Sequence, residues 1–218
     1  FLKQLNISVT AYAKSIGPVE VSPERMDLSE IPNNRFCLPD ADSAKEAEHY
    51  LDQKIAECDS VGGVVECVIS GLPAGLGEPV FEKLDANLAK AILSIGAVKG
   101  FELGDGFAAT KACGSENNDE FRMDGDKIVK ETNHAGGVLG GISDGSDILF
   151  RAAFKPTPSI SQEQHTVNKS GEEISVSIKG RHDPIIVPRA VVVVECMAAL
   201  TVLDLMMVGM TSRLDRMK

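Results

Sequence analysis

Residues 179–207 read KGRHDPIIVPRAVVVVECMAALTVLDLMM, and they place ionisable side chains directly before the most apolar part of the chain. The ionisable side chains are Arg181, His182 and Asp183. Pro188 opens the apolar part, and proline is favoured in the first turn of a helix. We therefore predict a polar turn that leads into a long helix, apolar on nearly all sides and buried by the rest of the fold.

An alternating segment precedes this polar turn. Ile174, Val176 and Ile178 fall on one face of an extended chain with polar residues between them, which predicts a half-buried strand. Gly180 ends this strand and Pro184 prevents its continuation. The polar turn is thus predicted at the C-terminal end of a strand, where open α/β sheets bind ligands.

The rest of the chain mixes strands and helices. Two other alternating segments run into glycine and proline, at residues 7–18 and 64–79. Helices are predicted at residues 42–57 and 79–95, the second with proline in its first turn. Strands and helices at irregular spacing indicate an α/β or α+β fold rather than a repeat protein.

The composition argues against several classes of protein. A net charge of −10 without any dense run of Lys and Arg argues against a nucleic-acid-binding surface. Arg189, Glu195 and Asp204 interrupt the apolar run, which argues against a membrane span. The five cysteines are odd in number and form no C-x-x-C pair, so we predict neither a disulfide framework nor a metal site, and a reducing compartment.

Residues 113–147 form a polar, Gly-rich segment that is too long for a simple connection, and such loops are often functional. Its acidic part, residues 116–126, is predicted to be a solvated excursion rather than a metal site, because it lacks the spacing of a calcium loop. The glycines of residues 136–141 allow two interpretations. They let the backbone approach an anionic ligand, or they form a turn that packs against a strand.

Residues 154–160, FKPTPSI, combine a charge, two hydroxyls and two prolines that stiffen the backbone. Such a segment can bind phosphate at a small cost in ordering. The alternative is an edge turn with Lys155 facing solvent. In the polar turn, Arg181 suits bidentate phosphate contact and Asp183 is a candidate proton acceptor, or the two form a purely structural pair.

Taken together, these segments resemble the chorismate synthase family over almost the whole chain, in the family's order and with near-family spacing. The segments that carry the resemblance are RFCLPDAD (35–42), SGLPAGLGEPVFEKLDANLAKAILSIGAVKGFELGDGF (70–107), GSENNDE (114–120), NHAGGVLGGISDG (133–145), FKPTPSI (154–160) and KGRHDPIIVPRAV (179–191).

The resemblance implies an α+β fold with β-α-β sandwich-like layers of mostly antiparallel strands, of which residues 1–218 are a single domain, the C-terminal part. It implies a lyase of the shikimate pathway of aromatic amino acid biosynthesis. Such enzymes convert 5-enolpyruvylshikimate 3-phosphate to chorismate by a 1,4-elimination of phosphate and a proton, using reduced FMN. We expect a cytoplasmic homotetramer that binds no nucleic acid and no membrane, with NADPH as a candidate reductant of the flavin.

The resemblance also assigns site residues. Asp183 matches the carboxylate that takes a proton from the flavin N5. Gly96 matches a position where relatives often have Asn, which puts a side-chain contact to the flavin in doubt. The residues that match FMN-binding positions are Gly96, Ala97, Gly140, Lys155, Pro156, Thr157, Pro158, Ser159 and Arg181.

The chain departs from the family by lacking its upstream motifs: a Gly-Glu-Ser-His-Gly motif, basic phosphate-binding segments, a second catalytic His and an Arg-Ala-Ser-Ala-Arg-like stretch. Neither His134 nor His182 is assigned to the missing histidines. We therefore expect residues 1–218 alone to be folded but inactive. The alternative to an enzyme is that this chain by itself is a non-catalytic scaffold or assembly module.

Overall fold

A computed structural model describes residues 1–180 and 182–212 of the protein, with the backbone alone at position 127. The helices are α1 (Ala41–Ala56), α2 (Leu84–Leu93), α3 (Gly114–Asn117) and α4 (Val187–Thr211). The strands are β1 (Ser8–Ile16), β2 (Val19–Glu20), β3 (Gly63–Ser70), β4 (Val98–Leu103), β5 (Phe121–Asp124), β6 (Lys127–Lys130), β7 (Val138–Leu139), β8 (Ile142–Ser143), β9 (Ile148–Phe154), β10 (Gln164–Val167) and β11 (Glu173–Val176).

Five strands hydrogen-bond in the order β2-β1-β3-β9-β4. Three further pairs are antiparallel two-stranded ribbons: β5 with β6, β7 with β8, and β10 with β11. β1 and β2 are also antiparallel. This mixture of helices and antiparallel strands confirms the α+β fold.

By its contacts the chain divides into two compact units. The first comprises Phe1–Ala11, Glu66–Ala152 and the chain from Val192 onward. In it, α2 packs on β4 and buries the side chains that recur every fourth residue, Leu84, Leu88 and Ile92. Each such side chain contributes about 1.5–3 kcal/mol when it is fully buried, so this face explains why α2 forms here.

The second unit comprises Tyr12–Val65 and Ala153–Val191. Here α1 buries Ala44, Ala47 and Leu51 and contacts β2. The helix is capped by Asp40, whose carboxylate accepts from the Asp42 backbone N–H at 3.0 Å and from the Ser43 hydroxyl at 2.6 Å. The predicted start at residue 42 is thus one residue too late, because Asp40 and not a later residue caps the first free N–H groups of the helix.

α2 begins at Leu84, five residues after the predicted start at Pro79. The Leu84 N–H donates to the carbonyl of Gly141 at 2.8 Å, outside the helix. The Glu78 N–H closes a turn on the carbonyl of Glu82 at 3.0 Å. Proline permits a first helical turn but does not require one, and these loop contacts decide the start.

The strand predicted at residues 174–180 is wrong in extent and burial. β11 ends at Val176, four residues before Gly180, so the polar turn does not directly follow a strand. Ile174 and Ile178 are 37% and 41% exposed. The alternation is real, but β11 pairs with β10 alone among the described strands and its apolar side is not buried.

α4 begins one residue before Pro188, as the sequence predicts, but it is not covered on most sides within the described chain. One face is buried, with Val194, Ala198 and Val202 fully so, while Leu200 and Met207 on the opposite face are about 60% exposed. By length and composition alone the helix could also cross a membrane. The sequence did not reveal the open face because both faces are apolar.

Candidate functional site

Residues 155–159 form a segment without regular secondary structure in the second unit, with a bend at Pro158. Lys155 is exposed, and no ion pair with it occurs within residues 1–180 and 182–212. Thr157 and Ser159 are half-buried. The residues before Pro156 and Pro158 are sterically held near extended conformations, so the charge and the hydroxyls are carried on a stiff backbone.

This segment is fastened by side chains to the connector at residues 57–62, which joins α1 to β3. The Ser60 hydroxyl donates to the carbonyl of Thr157 at 2.6 Å. The Gln162 amide donates to the carbonyl of Glu57, also at 2.6 Å. The two prolines have no N–H group, so side-chain hydrogen bonds replace part of a strand ladder here.

The same connector holds the predicted catalytic turn. The Val61 N–H donates to the carbonyl of Pro184 at 2.8 Å, and Val61 forms a parallel bridge with Ile185. A Cβ at Gly62 would meet the carbonyl oxygen of Phe154 at 2.3 Å, so glycine lets these backbones come this close. The connector therefore brings the 155–159 segment and the turn around Asp183 together within the second unit.

Asp183 lines a cavity of about 190 Å³ in the second unit. The cavity is lined by Ile55, Cys58, Asp59, Ser60, Ile160, Ser161, His182, Asp183 and Pro184. The Asp183 carboxylate forms an ion pair with Arg189, and both side chains are more than half exposed. His182 Nε2 lies 2.8 Å from the carbonyl of Ile178. Arg181 lies outside the described residues.

Gly96 and Ala97 form the turn between α2 and β4 in the first unit. The Val98 N–H bonds to the carbonyl of Ile95 at 3.3 Å, and Ala97 has a φ of 71°. A positive φ at the second central position is typical of a type II turn, and it costs a residue with a Cβ about 1 kcal/mol or more. A Cβ at Gly96 would meet no atom within 4 Å, so the backbone here is open to an approaching group.

Gly140 lies at the tip of the β7–β8 turn, also in the first unit, with a φ of 61° and open space where a Cβ would be. Ser143, in β8, is buried and links this turn to the loop after β3. Its hydroxyl donates to the carbonyl of Pro73 at 2.7 Å and accepts from the Leu76 N–H at 2.9 Å. Gly140 is open, whereas its neighbour Gly141 packs against Lys83 at the start of α2 rather than against a strand.

A buried ionic cluster links the two ends of the Gly-rich segment, and the sequence analysis did not predict it. Lys130 Nζ lies 3.4 Å from Asp119 and 2.5 Å from Asp144, with all three side chains less than 10% exposed. Asp119 also accepts from the Thr132 hydroxyl at 2.7 Å and from the His134 N–H at 2.7 Å. The prediction of a wholly solvated acidic excursion at residues 116–126 is thus wrong for Asp119.

The pKa of Asp119 reflects this environment. Burial alone would raise it, but the Ala135 N–H, the Thr132 hydroxyl, the His134 N–H and the Lys130 charge outweigh burial and lower the pKa to about 2. The carboxylate is therefore ionised at neutral pH and fixes the backbone that enters the Gly-rich segment. These partners lie 11 to 16 residues apart in sequence, so short sequence motifs did not reveal that they form a cluster.

His134 also makes a side-chain contact that the sequence did not reveal. Its Nδ1 lies 2.7 Å from an Asp105 carboxylate oxygen, which also accepts from the Asn117 amide at 3.3 Å. Both His134 and Asp105 are about one-third exposed. The pair ties the Gly-rich segment to the turn after β4.

The predicted site residues thus fall into two groups. Within the second unit, the structure brings Lys155–Ser159 and Asp183 to either side of one connector. Within the first unit, it places Gly96, Ala97 and Gly140 on open turns.

Comparison with known proteins adds independent information. The family model described as chorismate synthase matches residues 1–207. The chorismate synthase of Lachnoclostridium phytofermentans is 62% identical over 218 residues, which is 100% of this chain and 59% of that protein. The chorismate synthase of Agathobacter rectalis is 61% identical over 215 residues, which is 99% of this chain and 59% of that protein.

A crystal structure of chorismate synthase matches with a TM-score of 0.79 and 28% sequence identity. The match covers 96% of this chain and 60% of that one. The chain therefore spans about 59% of the length of these two curated relatives.

Proposed function

Because the chain belongs to the chorismate synthase family, we propose that it supplies part of the flavin and substrate site of an enzyme that makes chorismate. The reaction is the 1,4-elimination of phosphate and a proton from 5-enolpyruvylshikimate 3-phosphate. The relatives are bacterial enzymes named for this product, which supports a place in the shikimate pathway. The cofactor, reduced FMN, is part of the proposal.

The residues present fit an anionic, planar ligand. Lys155 offers an exposed ammonium group, and no hydrogen bond to the hydroxyls of Thr157 and Ser159 occurs among the described residues. Gly96 and Gly140 leave open backbone where a side chain would block approach. In the second unit, the charge and the hydroxyls suit a phosphate group, and in the first unit, the open backbone permits close approach of a planar ring.

In this proposal the chain's own residues orient charge and receive a proton. Lys155 and, by the family resemblance, Arg181 would bind the phosphate groups, where cationic side chains stabilise developing negative charge. Asp183, whose carboxylate pairs with Arg189, would serve as the proton acceptor beside the N5 atom of a bound flavin. Bound reduced flavin supplies electron density to the substrate in a reaction without net redox change.

The remaining expectations are proposed with the same function. We propose a cytoplasmic homotetramer that binds neither nucleic acid nor membrane, and we propose that residues 1–218 form a single domain, the C-terminal part of the family fold. NADPH is the proposed reductant of the flavin. The alternative function is a scaffold or assembly module, and the partial length relative to the curated proteins favours it for residues 1–218 in isolation.

The observation that carries the proposal is the connector at residues 57–62, which holds the Lys155–Ser159 segment on one side and the Asp183 turn on the other. The test titrates the full-length protein, the complete polypeptide in which these 218 residues occur, with FMN under anaerobic reducing conditions. It then measures chorismate formation from 5-enolpyruvylshikimate 3-phosphate, with the Lachnoclostridium phytofermentans enzyme as positive control.

We expect binding and turnover, and we expect Lys155→Ala to weaken FMN binding by about tenfold, the value for one lost charge-assisted hydrogen bond. Lys169→Ala, an exposed lysine outside the proposed site, is the matched control and should bind FMN as the unmodified protein does. Absence of both FMN binding and turnover in the unmodified protein, with the positive control active, would overturn the proposal.

A further inference from the structure

We propose that Ser60 is a positioning residue of the flavin site, which sets the Lys155–Ser159 segment in register with Asp183. Ser60 matches none of the residues assigned from the family resemblance. The inference rests on the proposed function for its meaning, and on contacts within the second unit for its geometry.

The first step concerns how the segment can be held at all. Pro156 and Pro158 lack N–H groups, so the segment has few donors with which to join a neighbouring strand. Its carbonyl groups remain, and the carbonyl of Thr157 lies between the two prolines. The Ser60 hydroxyl donates to this carbonyl at 2.6 Å, so a side chain provides the bond that a strand ladder would otherwise provide.

The second step concerns direction. Lys155 and Thr157 each precede a proline, and this restricts both to extended conformations. Because the backbone is restricted in this way, fixing the carbonyl of Thr157 also restricts the Cα positions from which the Lys155 and Ser159 side chains extend. One hydrogen bond in the middle of the segment therefore controls the placement of its polar groups at both ends.

The third step connects Ser60 to the catalytic turn. The adjacent residue, Val61, donates its N–H to the carbonyl of Pro184 at 2.8 Å, directly after Asp183. Ser60 and Asp183 also line the same cavity. Because Ser60 and Val61 are consecutive, the hydroxyl bond to Thr157 and the backbone bond to Pro184 hold the two parts of the site at a fixed separation.

The contacts at the ends of the segment do not replace this bond. The Gln164 amide donates to the carbonyl of Pro158 at 3.2 Å, a longer bond one residue beyond Thr157. The Gln162 amide reaches the carbonyl of Glu57 and the Ser177 hydroxyl reaches the carbonyl of Ser161, but both contacts lie beyond Ser159. At the other end, Gly62 packs against the backbone of Phe154 and Pro156. Ser60 therefore makes the shorter of the two side-chain hydrogen bonds to the carbonyl groups of Thr157 and Pro158, and it is the one that comes from the connector beside the Asp183 turn.

The experiment compares Ser60→Ala, Ser60→Thr and the unmodified full-length protein. Ser60→Ala removes the donor, and Ser60→Thr restores a hydroxyl. Ser43→Ala is the matched structural control, because the Ser43 hydroxyl also donates within the second unit, to the Asp40 carboxylate at 2.6 Å, but at the start of α1.

The first readout is amide hydrogen exchange in the absence of ligand. We expect Ser60→Ala to speed exchange about three- to tenfold in peptides that cover residues 153–163 and 182–186, with little change elsewhere, and Ser60→Thr to restore slow exchange. The second readout is FMN affinity, which should fall about three- to tenfold in Ser60→Ala and return to within twofold in Ser60→Thr. Ser43→Ala should lower the thermal midpoint without changing FMN affinity.

The outcomes separate this inference from the proposed function. If the unmodified protein fails to bind FMN, the proposed function is wrong, and the exchange data still decide whether Ser60 orders the segment. If the protein binds FMN and Ser60→Ala matches it in affinity, or if exchange at residues 153–163 is unchanged, the positioning role is overturned. An equal loss of affinity in Ser43→Ala would also overturn it, because general destabilisation would then explain both variants.

Discussion

At the scale of single residues, Asp183 is the side chain whose chemistry can be separated from its structural role. It forms an exposed ion pair with Arg189, and such pairs contribute about 0–1 kcal/mol to stability. Asn has the same shape and can still accept a hydrogen bond, but it does not accept a proton at neutral pH. The consequences of losing the proton acceptor and of losing the ion pair can therefore be measured independently.

We predict that Asp183→Asn in the full-length protein keeps FMN bound and lowers turnover by about 10²- to 10⁴-fold, the usual contribution of an acid–base group. Anaerobic FMN titration and a chorismate assay measure the two quantities. Arg189→Gln is the control, because it breaks the same ion pair and leaves the carboxylate. If Arg189→Gln were as slow as Asp183→Asn, the pair and not the proton transfer would explain the loss.

Asp119 provides a second residue-scale test, through pH. Its pKa is lowered to about 2 in the folded protein, from an ordinary value of 3.8. A carboxyl group with a lowered folded pKa contributes stability that is present above pH 3.8 and is lost as the pH falls towards 2. The difference of almost two pH units corresponds to about 2 kcal/mol.

We therefore predict that the unfolding free energy of the unmodified protein falls between pH 4 and pH 2, and that Asp119→Asn removes about 2 kcal/mol of this fall. Urea unfolding at several pH values in this range measures the effect. Asp124→Asn, an exposed residue in β5, serves as the control. An acid response that is the same in Asp119→Asn and in the unmodified protein would show that the cluster around Lys130 does not act as described.

At the scale of elements, two glycines of one loop differ only in what surrounds them. Gly75 and Gly77 both have positive φ values, 100° and 128°. A Cβ at Gly75 would meet no atom within 4 Å, whereas a Cβ at Gly77 would meet the carbonyl oxygen of Gly141 at 2.3 Å. The Gly77 contact brings the loop after β3 against the turn that carries Gly140.

We predict that Gly75→Ala costs about 1 kcal/mol, the strain of a Cβ at positive φ, and that Gly77→Ala costs about 3 kcal/mol because backbone must also move. Urea unfolding of the two variants measures the costs. Gly77→Ala should in addition weaken FMN binding through the displaced turn. Equal costs for the two variants would mean that the loop shifts freely and does not support Gly140.

The elements also show how far the sequence could predict this fold. Sequence patterns located α1, which buries one face, and also β1 and β3, although these two strands each bury three consecutive residues and so both of their faces. The prediction of a half-buried strand failed at β11. The alternation of Ile174 and Ile178 indicates which side of the strand is apolar, but it does not indicate whether another element covers that side. The sequence patterns failed at the start of α2 because the contact of Leu84 with Gly141 joins residues 57 positions apart.

The candidate site was predicted in a similar, uneven way. Lys155, Thr157 and Asp183 are visible in sequence because their chemical groups stand in stiff, proline-bounded segments. Ser60 was not visible, because a single serine before Val61 has no pattern and its partner is 97 residues away. Supporting residues of this kind become apparent only when the fold brings their partners together.

At the scale of the whole molecule, the chain has a buried core in each unit, whereas several motifs of the family's site are absent from residues 1–218. The described chain buries large side chains in both units, such as Leu88 and Phe150 in the first and Tyr12 and Leu38 in the second. The family motifs that carry the catalytic histidines and the substrate phosphate anchors are absent from residues 1–218. Folding and activity should therefore separate in this chain.

We predict that residues 1–218 alone are folded and unfold cooperatively, but turn over 5-enolpyruvylshikimate 3-phosphate at least 10²-fold more slowly than the full-length relative from Lachnoclostridium phytofermentans. FMN affinity should be lower as well. Circular dichroism during thermal unfolding and an anaerobic chorismate assay are the measurements. Turnover within tenfold of that relative would show that the missing motifs are dispensable.

The cavity beside Asp183 has a practical consequence for spectroscopy. Cys58 lies in its wall and is exposed, whereas Cys67 is fully buried and burial raises the pKa of its thiol well above the usual range. After replacement of the exposed Cys113 and Cys196 and the half-buried Cys37 by serine, a maleimide dye or nitroxide would attach to Cys58 and leave the buried Cys67 thiol untouched. Fluorescence quenching or a spin-label line shape would then report ligand entry in real time, from a natural attachment point a few side chains away from the proposed proton acceptor.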